Sequence, residues 1–167
     1  MTGRRLVLLR HGRTPWNRVG RAQGHADVEI DDLGHAQAAA VAPYLAALEP
    51  VALWTSDLAR ARQTCEYVER ATGLTAKEDE RFREYDVGDR QGLTSEEFAA
   101  SFPEAYAAWR GSSQDIVRVP GAESAADVAA RIVPALRESL ASLESGETGI
   151  VVTHGACLKI GLVGLLG

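Results

Sequence analysis

Short apolar runs alternate with longer amphipathic stretches along the chain. Leu6 to Leu9, Val51 to Trp54 and Ile150 to Val152 are rich in branched residues and bounded by polar positions. That is the pattern of strands buried on both faces. Each run leads toward a segment with helical periodicity. The spacing predicts helices over Leu33 to Leu48 with Asp31 or Asp32 as N-cap, and over Leu58 to Thr72, capped by Ser56 or Asp57 and stopped at Gly73. Two more are expected over Ser124 to Leu143, despite Pro134, and over Ala156 to Leu166. Between Thr75 and Gly121 the sequence is mixed and polar, with short helical pieces at Glu96 to Phe102 and Pro103 to Trp109. Parallel strands joined by crossover helices, an α/β arrangement, are the natural result.

Composition narrows the function without naming it. The 167 residues are 46% apolar and 25% charged, which suits one compact domain, 1–167, with 75–121 as a short cap-like insert. A net charge of -5 argues against nucleic acid as a partner. The basic residues are 16 Arg and 2 Lys, and Arg is the better fork for phosphate or carboxylate, although codon bias would leave the same mark. Cys65 and Cys157 form neither a CxxC pair nor a disulfide framework, so a reducing compartment is the simpler inference. The apolar run near the N-terminus is too short for a signal peptide, and no stretch approaches a membrane span. The expected location is cytoplasmic, with no membrane partner; a homodimer is left open.

The chemistry lies at the strand ends. The first run is followed by Arg10-His11-Gly12, the last by Thr153-His154-Gly155, and the middle one by Thr55-Ser56-Asp57-Leu58 and then Arg60. In open α/β sheets the ligand crevice lies beyond the carboxyl ends of the strands. Three such ends point to one anion pocket, where glycines admit the ligand to the backbone and helix N-termini offer N–H groups. Arg60 would sit in a helix's first turn, where the partial positive charge disfavours a cation unless an anion shares the place. Its alternative is an ordinary surface position or a pairing with Asp57; for His11 and His154 it is a backbone-bonded or packed ring.

Leu9-Arg10-His11-Gly12-Arg13-Thr14-Pro15-Trp16-Asn17 resembles the R-H-G-x-T-x-x-N signature of the histidine phosphatase superfamily, which includes the phosphoglycerate mutases. The likeness continues through Gln23-Gly24, Asp27, Leu33-Gly34 and Gln37-Ala38. Ser56 to Thr64 is similar to the family's S-x-L-x-R-A-x-Q-T helix start. Phe82 to Gly92, Gly121-Ala122-Glu123-Ser124 and Val152-Thr153-His154-Gly155 complete the order. The fold this implies is three-layer α/β/α, phosphoglycerate mutase-like, with a mostly parallel central sheet and the active site at the carboxyl ends of its strands.

The resemblance also implies roles. His11 would attack phosphorus and carry a phosphohistidine, with its other ring nitrogen held by an acceptor. Arg10, Arg60, His154 and Asn17 would surround the phosphoryl oxygens, with Thr14, Gln23, Gly24 and Gly155 also in the substrate-binding set. Glu84 would protonate the leaving alkoxide and later take a proton from water; Asp86 and Asp89 are the fallback acids in an acidic segment. No metal and no other cofactor is required, and the substrate would be a small phosphorylated metabolite such as a sugar phosphate or a phosphoglycerate derivative. His25 and His35 are expected on the surface or a helix face rather than in catalysis, although His25 falls in the segment that, by resemblance, borders the substrate. Cys157, at a helix start, is expected to be a small buried residue rather than an activated thiol.

Two positions depart from the family pattern. Arg90 stands where many members carry an aromatic residue, and the chain stops at Gly167 in an apolar helix where members continue to another strand. A truncated or unresolved end, with a sheet edge left uncovered, is the corresponding expectation. Seventy positions separate Glu84 from His154, short for a mutase insert, which favours hydrolysis. The spacing looks most like actinobacterial phosphatases of the glucosyl-3-phosphoglycerate phosphatase type. The alternatives are mutase-type phosphoryl transfer and a catalytically silent phospholigand-binding domain.

Overall fold

The structure is a computed structural model that describes residues 3–111 and 119–167; part of the expected cap-like insert, 112–118, lies outside the described residues. Four strands form a parallel sheet in the order β1-β4-β2-β3: β1 (Arg5–Arg10), β2 (Ala52–Thr55), β3 (Lys77–Glu78) and β4 (Thr148–Thr153). β4 is buried throughout, as its unbroken apolar run requires. Side chains alternate across the sheet. Val7, Leu9, Leu53, Ile150 and Val152 pack with α2 (Asp32–Ala46) and α3 (Ala59–Thr72). Leu6, Leu8, Trp54 and Val151 pack with α6 (Ala125–Ala141) and α7 (Gly155–Leu166) on the other face. Helices on both faces of a parallel sheet give the three layers expected.

The main elements fall where the periodicity places them, within a few residues at their ends. Asp31 caps α2, and α3 ends at Gly73. The short helices α4 (Ser95–Ser101) and α5 (Pro103–Arg110) occupy the polar middle of the chain. The cap of α3 is a correction. Its N-cap is Leu58, without a side-chain bond, and the Ala59 N–H is taken by Asp27 Oδ1 at 2.7 Å, from a loop 32 residues away. Ser56 and Asp57 have other partners. The periodicity also misses α1 (Pro15–Val19), the two-residue β3, and 3-10 turns at Glu80–Phe82 and Gly88–Arg90. All are too short to show a period.

One close backbone approach fixes the turn after β1. A Cβ on Gly12 would stand 2.6 Å from the Gly34 carbonyl oxygen, and a Cβ on Gly34 would stand 2.2 Å from that of Arg13. The start of α2 thus presses on the Arg-His-Gly turn with no room for a side chain at either position. Gly34→Ala is expected to destabilise the protein by about 1–3 kcal/mol, read as a lower urea midpoint, and to lower activity in the remaining folded protein. An unchanged midpoint would mean that the two backbones do not meet.

Candidate active site

The register of β1 with β4 sets the centre of the site. Arg10 stands opposite Thr153, so the residues that follow, His11 and His154, leave adjacent strands side by side with ring centroids 5.2 Å apart. β2 ends one strand further on, with Thr55 opposite Val152, and brings the Ser56 hydroxyl to 2.9 Å from His154 Nε2. Both rings are buried. His11 Nδ1 lies 2.7 Å from the Gly12 carbonyl oxygen. A carbonyl only accepts, so Nδ1 carries the proton and Nε2 keeps its lone pair. Burial, and then the charge of Arg60, lower the His11 pKa to about 3. Burial does the same to His154, pushing it well below the usual histidine range, with Arg60 and His11 adding to the effect.

Arg60 is the second residue of α3 and is 0% exposed. Its Nη1 and Nη2 donate to the carbonyl oxygens of Ala26 and Gly24, each at 2.8 Å. The alternative pairing with Asp57 does not form, because Asp57 accepts from Arg83 Nε at 2.9 Å. Burial lowers the Arg60 pKa to about 10, against the opposing influence of Glu84 and Asp27, which leaves it charged at neutral pH. The Arg10 guanidinium lies over Gly155, its Nε 3.5 Å from where a Cβ there would stand, and its charge bears on both His11 and Arg60. Two cations thus converge on two neutral histidines.

Three buried side-chain polar atoms lack a partner among the described residues, and two of them are here: Arg60 Nε and His154 Nδ1. Arg60 Nε is an N–H donor; His154 Nδ1 is a second one in the tautomer where the Ser56 hydroxyl donates to Nε2. Each costs about 1–3 kcal/mol when left unmade. Beside them Arg10, His11, Arg13, Asn17 and Gln37 line a cleft of about 460 Å³.

The remaining expected residues divide between lining and support. Thr14 and Asn17 form the capping box of α1, with the Asn17 N–H donating to Thr14 Oγ1 and the Thr14 N–H to Asn17 Oδ1, both at 3.0 Å. That use of Oδ1 leaves the Asn17 amide N–H groups as donors at the cleft wall. Gln23 Oε1 accepts from the Thr14 hydroxyl at 3.0 Å, and Gly24 serves through the carbonyl that holds Arg60.

Glu84 reaches the site from the loop after β3. Its Oε1 accepts from the N–H groups of Cys157, 2.9 Å, and Tyr85, 3.1 Å, and its Oε2 from that of Ala156, 3.2 Å. The carboxylate therefore sits on the first turn of α7, directly after His154, where the helix dipole favours an anion. The fallback acids are placed differently: Asp86 accepts from the Gly88 N–H at 2.9 Å and Asp89 is exposed. His25, expected on the surface or a helix face but in the segment that by resemblance borders the substrate, is half-buried, and its Nε2 donates to the Glu84 carbonyl at 2.8 Å. His35 stays outside, 3.1 Å from the Tyr67 hydroxyl. Burial raises the Cys157 and Cys65 thiols to about 12, which makes both inert despite the helix start at Cys157. Sequence reasoning missed the Ser56 bond to His154 and the Asp27 cap, although both residues stand within the matched motifs; polar partners across strands leave no period to read.

Residues 6–167 match the pattern described as the histidine phosphatase superfamily, branch 1. The chain belongs to this superfamily. A glucosyl-3-phosphoglycerate phosphatase of Mycobacterium tuberculosis is 40% identical over 166 residues, covering 95% of this chain and 73% of that protein. A metal-independent phosphoserine phosphatase of Arabidopsis thaliana is 40% identical over 156 residues, 92% of this chain and 65% of the other. Among solved structures, a mycobacterial glucosyl-3-phosphoglycerate phosphatase complexed with VO3 superposes with a TM-score of 0.89 at 38% identity, covering 98% of this chain and 81% of that one.

The buried histidines give this histidine phosphatase a pH signature. His11 in the unfolded chain takes a proton near pH 6.5, whereas folded His11 refuses it until about pH 3. The unfolded state binds more protons across that window, so stability falls as the pH drops through it, by at most about 1.4 kcal/mol per pH unit for each such histidine. In His11→Gln the slope of unfolding free energy between pH 6 and pH 4 is expected to be shallower than in the parent, by urea denaturation at stepped pH. Equal slopes would place a protonated His11 in the folded protein.

Proposed function

We propose that this histidine phosphatase hydrolyses a small phosphomonoester through a phosphohistidine on His11, with Glu84 as acid and then base. The observation that carries this reading is the orphaned buried N–H of Arg60 Nε, with the unpartnered His154 Nδ1, beside the unprotonated Nε2 of His11. A phosphoryl group supplies an acceptor for the Arg60 Nε–H, and for His154 Nδ1–H in the tautomer that carries it, and an electrophile for the His11 lone pair. As His11 Nε2 bonds to phosphorus, the ester P–O bond breaks and the leaving oxygen takes the proton of Glu84, which enters this step as the neutral carboxylic acid and leaves it as the carboxylate. Water then attacks phosphorus, gives its proton to Glu84 and releases inorganic phosphate, which restores His11. Arg10, Arg60, His154 and Asn17 stabilise the charge on the equatorial oxygens through both displacements.

The likeness to glucosyl-3-phosphoglycerate phosphatases supports a phosphoglycerate derivative as substrate, and two free, buried cysteines fit a cytoplasmic place. A phosphate-release screen over sugar phosphates, phosphoglycerates, glucosyl-3-phosphoglycerate and phosphoamino acids tests the substrate class and separates hydrolysis from mutase transfer. Hydrolysis is expected to persist in excess chelator, because arginines supply the positive charge, and to vanish in His11→Ala. The phosphoryl group is expected on His11 when the intermediate is trapped without acid and read by mass spectrometry. Activity that is lost to chelator and restored by magnesium or zinc would overturn the mechanism.

The role of Glu84 has its own test in leaving-group chemistry. In Glu84→Gln, formation of the enzyme intermediate from an alkyl phosphate is expected to slow by about 10²- to 10⁴-fold. The same step from an activated aryl phosphate, whose leaving group needs no proton, should slow much less. Small, equal losses on both substrates would move the acid to Asp86.

A further inference from the structure

The loop that delivers Glu84 has almost no regular structure to hold it. Between β3 and Val87 its only turn of helix is Glu80–Phe82, yet four consecutive carbonyls are bonded. Arg131 Nη1 donates to the carbonyl oxygens of Arg81, 3.0 Å, and Arg83, 2.7 Å, and its Nη2 to that of Glu84, 3.0 Å. The Phe82 carbonyl accepts from the Thr153 hydroxyl of β4 at 2.6 Å. The two remaining N–H groups of Arg131 go to Glu123, Nε to Oε1 and Nη2 to Oε2, both at 2.8 Å. All five guanidinium donors are therefore used, three of them on the backbone of the acid loop.

Glu123 clamps the same loop one step further along. Its Oε2 also accepts from the Asp86 N–H at 2.7 Å, and its own N–H donates to the Asp86 carbonyl at 3.0 Å. The pair is mostly buried, with side chains 19% and 22% exposed. Neither residue touches the histidine pair through any of these bonds. Their target is the main chain on both sides of Glu84, while the Glu84 side chain is left to the amides of α7.

We propose that Arg131, oriented by Glu123, is a positioning residue for the acid: it fixes the backbone from Arg81 to Asp86 so that the Glu84 carboxyl meets the leaving oxygen. This inference rests on the assignment of Glu84 as the acid. A planar five-donor fork is what the task needs, since one group must reach three carbonyls and a carboxylate at once. Lysine keeps the charge and loses that geometry.

The test compares Arg131→Lys and Glu123→Gln with the parent and with Glu84→Gln, on one alkyl and one activated aryl phosphate. Stoichiometric phosphohistidine formation from the aryl substrate counts the folded, competent fraction of each variant. For Arg131→Lys the rate of intermediate formation from the alkyl substrate is expected to fall by about 10²-fold, the scale of an ångström-sized misplacement. The aryl rate should fall far less, and KM should hold, because the phosphoryl-binding groups are untouched. Glu123→Gln should show the same selective loss, smaller in size. In a Glu84→Gln background, Arg131→Lys should cost little more on the alkyl substrate, as two changes in one function do. If Glu84→Gln shows the selective loss and the two clamp variants lose both substrates equally, or neither, the positioning role is overturned. If Glu84→Gln itself shows no selectivity, the acid has been misassigned and that earlier reading is what fails.

Discussion

A fully buried guanidinium in the first turn of a helix is the constraint on which the rest of this structure depends. Arg60 loses its water and stands where the α3 dipole is positive, and desolvating a charge costs several kcal/mol when nothing answers it. Two carbonyls of the Gly24–Ala26 loop and the nearby carboxylates of Asp27 and Glu84 offset part of that cost. Its Nε remains unanswered, and so does His154 Nδ1. In the proposed mechanism these positions are set before an anion arrives, which is the condition for electrostatic stabilisation without reorganisation.

The sheet delivers these groups through register rather than through long side chains. Because β1 and β4 run parallel and in step, the residues that follow Arg10 and Thr153 are the two histidines. Because β2 lies on the other side of β4, its exit supplies Ser56 to the second ring. A slip of either strand by one residue would turn all of its side chains to the other face and separate the rings. The same burial that excludes water from the strand ends keeps both histidines neutral. An uncharged His11 next to two arginines has its lone pair free at neutral pH, so burial and then the cations proposed to bind the substrate keep the proposed nucleophile unprotonated.

Much of this arrangement is legible in the chain itself. The apolar runs and their polar exits give the strands, the parallel sheet and the convergence of Arg10, His11, Arg60 and His154, since each depends on local period and on the rule that ligands gather at carboxyl ends. What the sequence hides depends on partners distant along the chain. Asp27 caps a helix that starts 32 positions later, and two of the three amides that hold the Glu84 side chain lie more than 70 positions away. His25 reads as an ordinary surface residue until its ring is found on the Glu84 carbonyl. Such bonds have no spacing to betray them; only a family likeness, which carries Glu84 and Glu123 within its motifs, points to them in advance.

The placement of Glu84 joins the two halves of the site. His154 is the N-cap of α7 and the next residues of that helix supply amides to the Glu84 carboxyl group, so the second histidine and the proposed acid share one rigid element. In this arrangement the Glu84 carboxyl group accepts from those helix amides. To serve a leaving oxygen it must exchange those bonds for one to the substrate, and the exchange is small only if its own main chain stays still. The α7 amides cannot provide that stillness, because they hold the group that has to turn. The constraint falls instead on the backbone behind it, where Thr153 and Arg131 take four successive carbonyls and Glu123 takes the next amide but one after Glu84. Fixed backbone and releasable side chain are separate requirements, and the chain meets them with separate sets of hydrogen bonds.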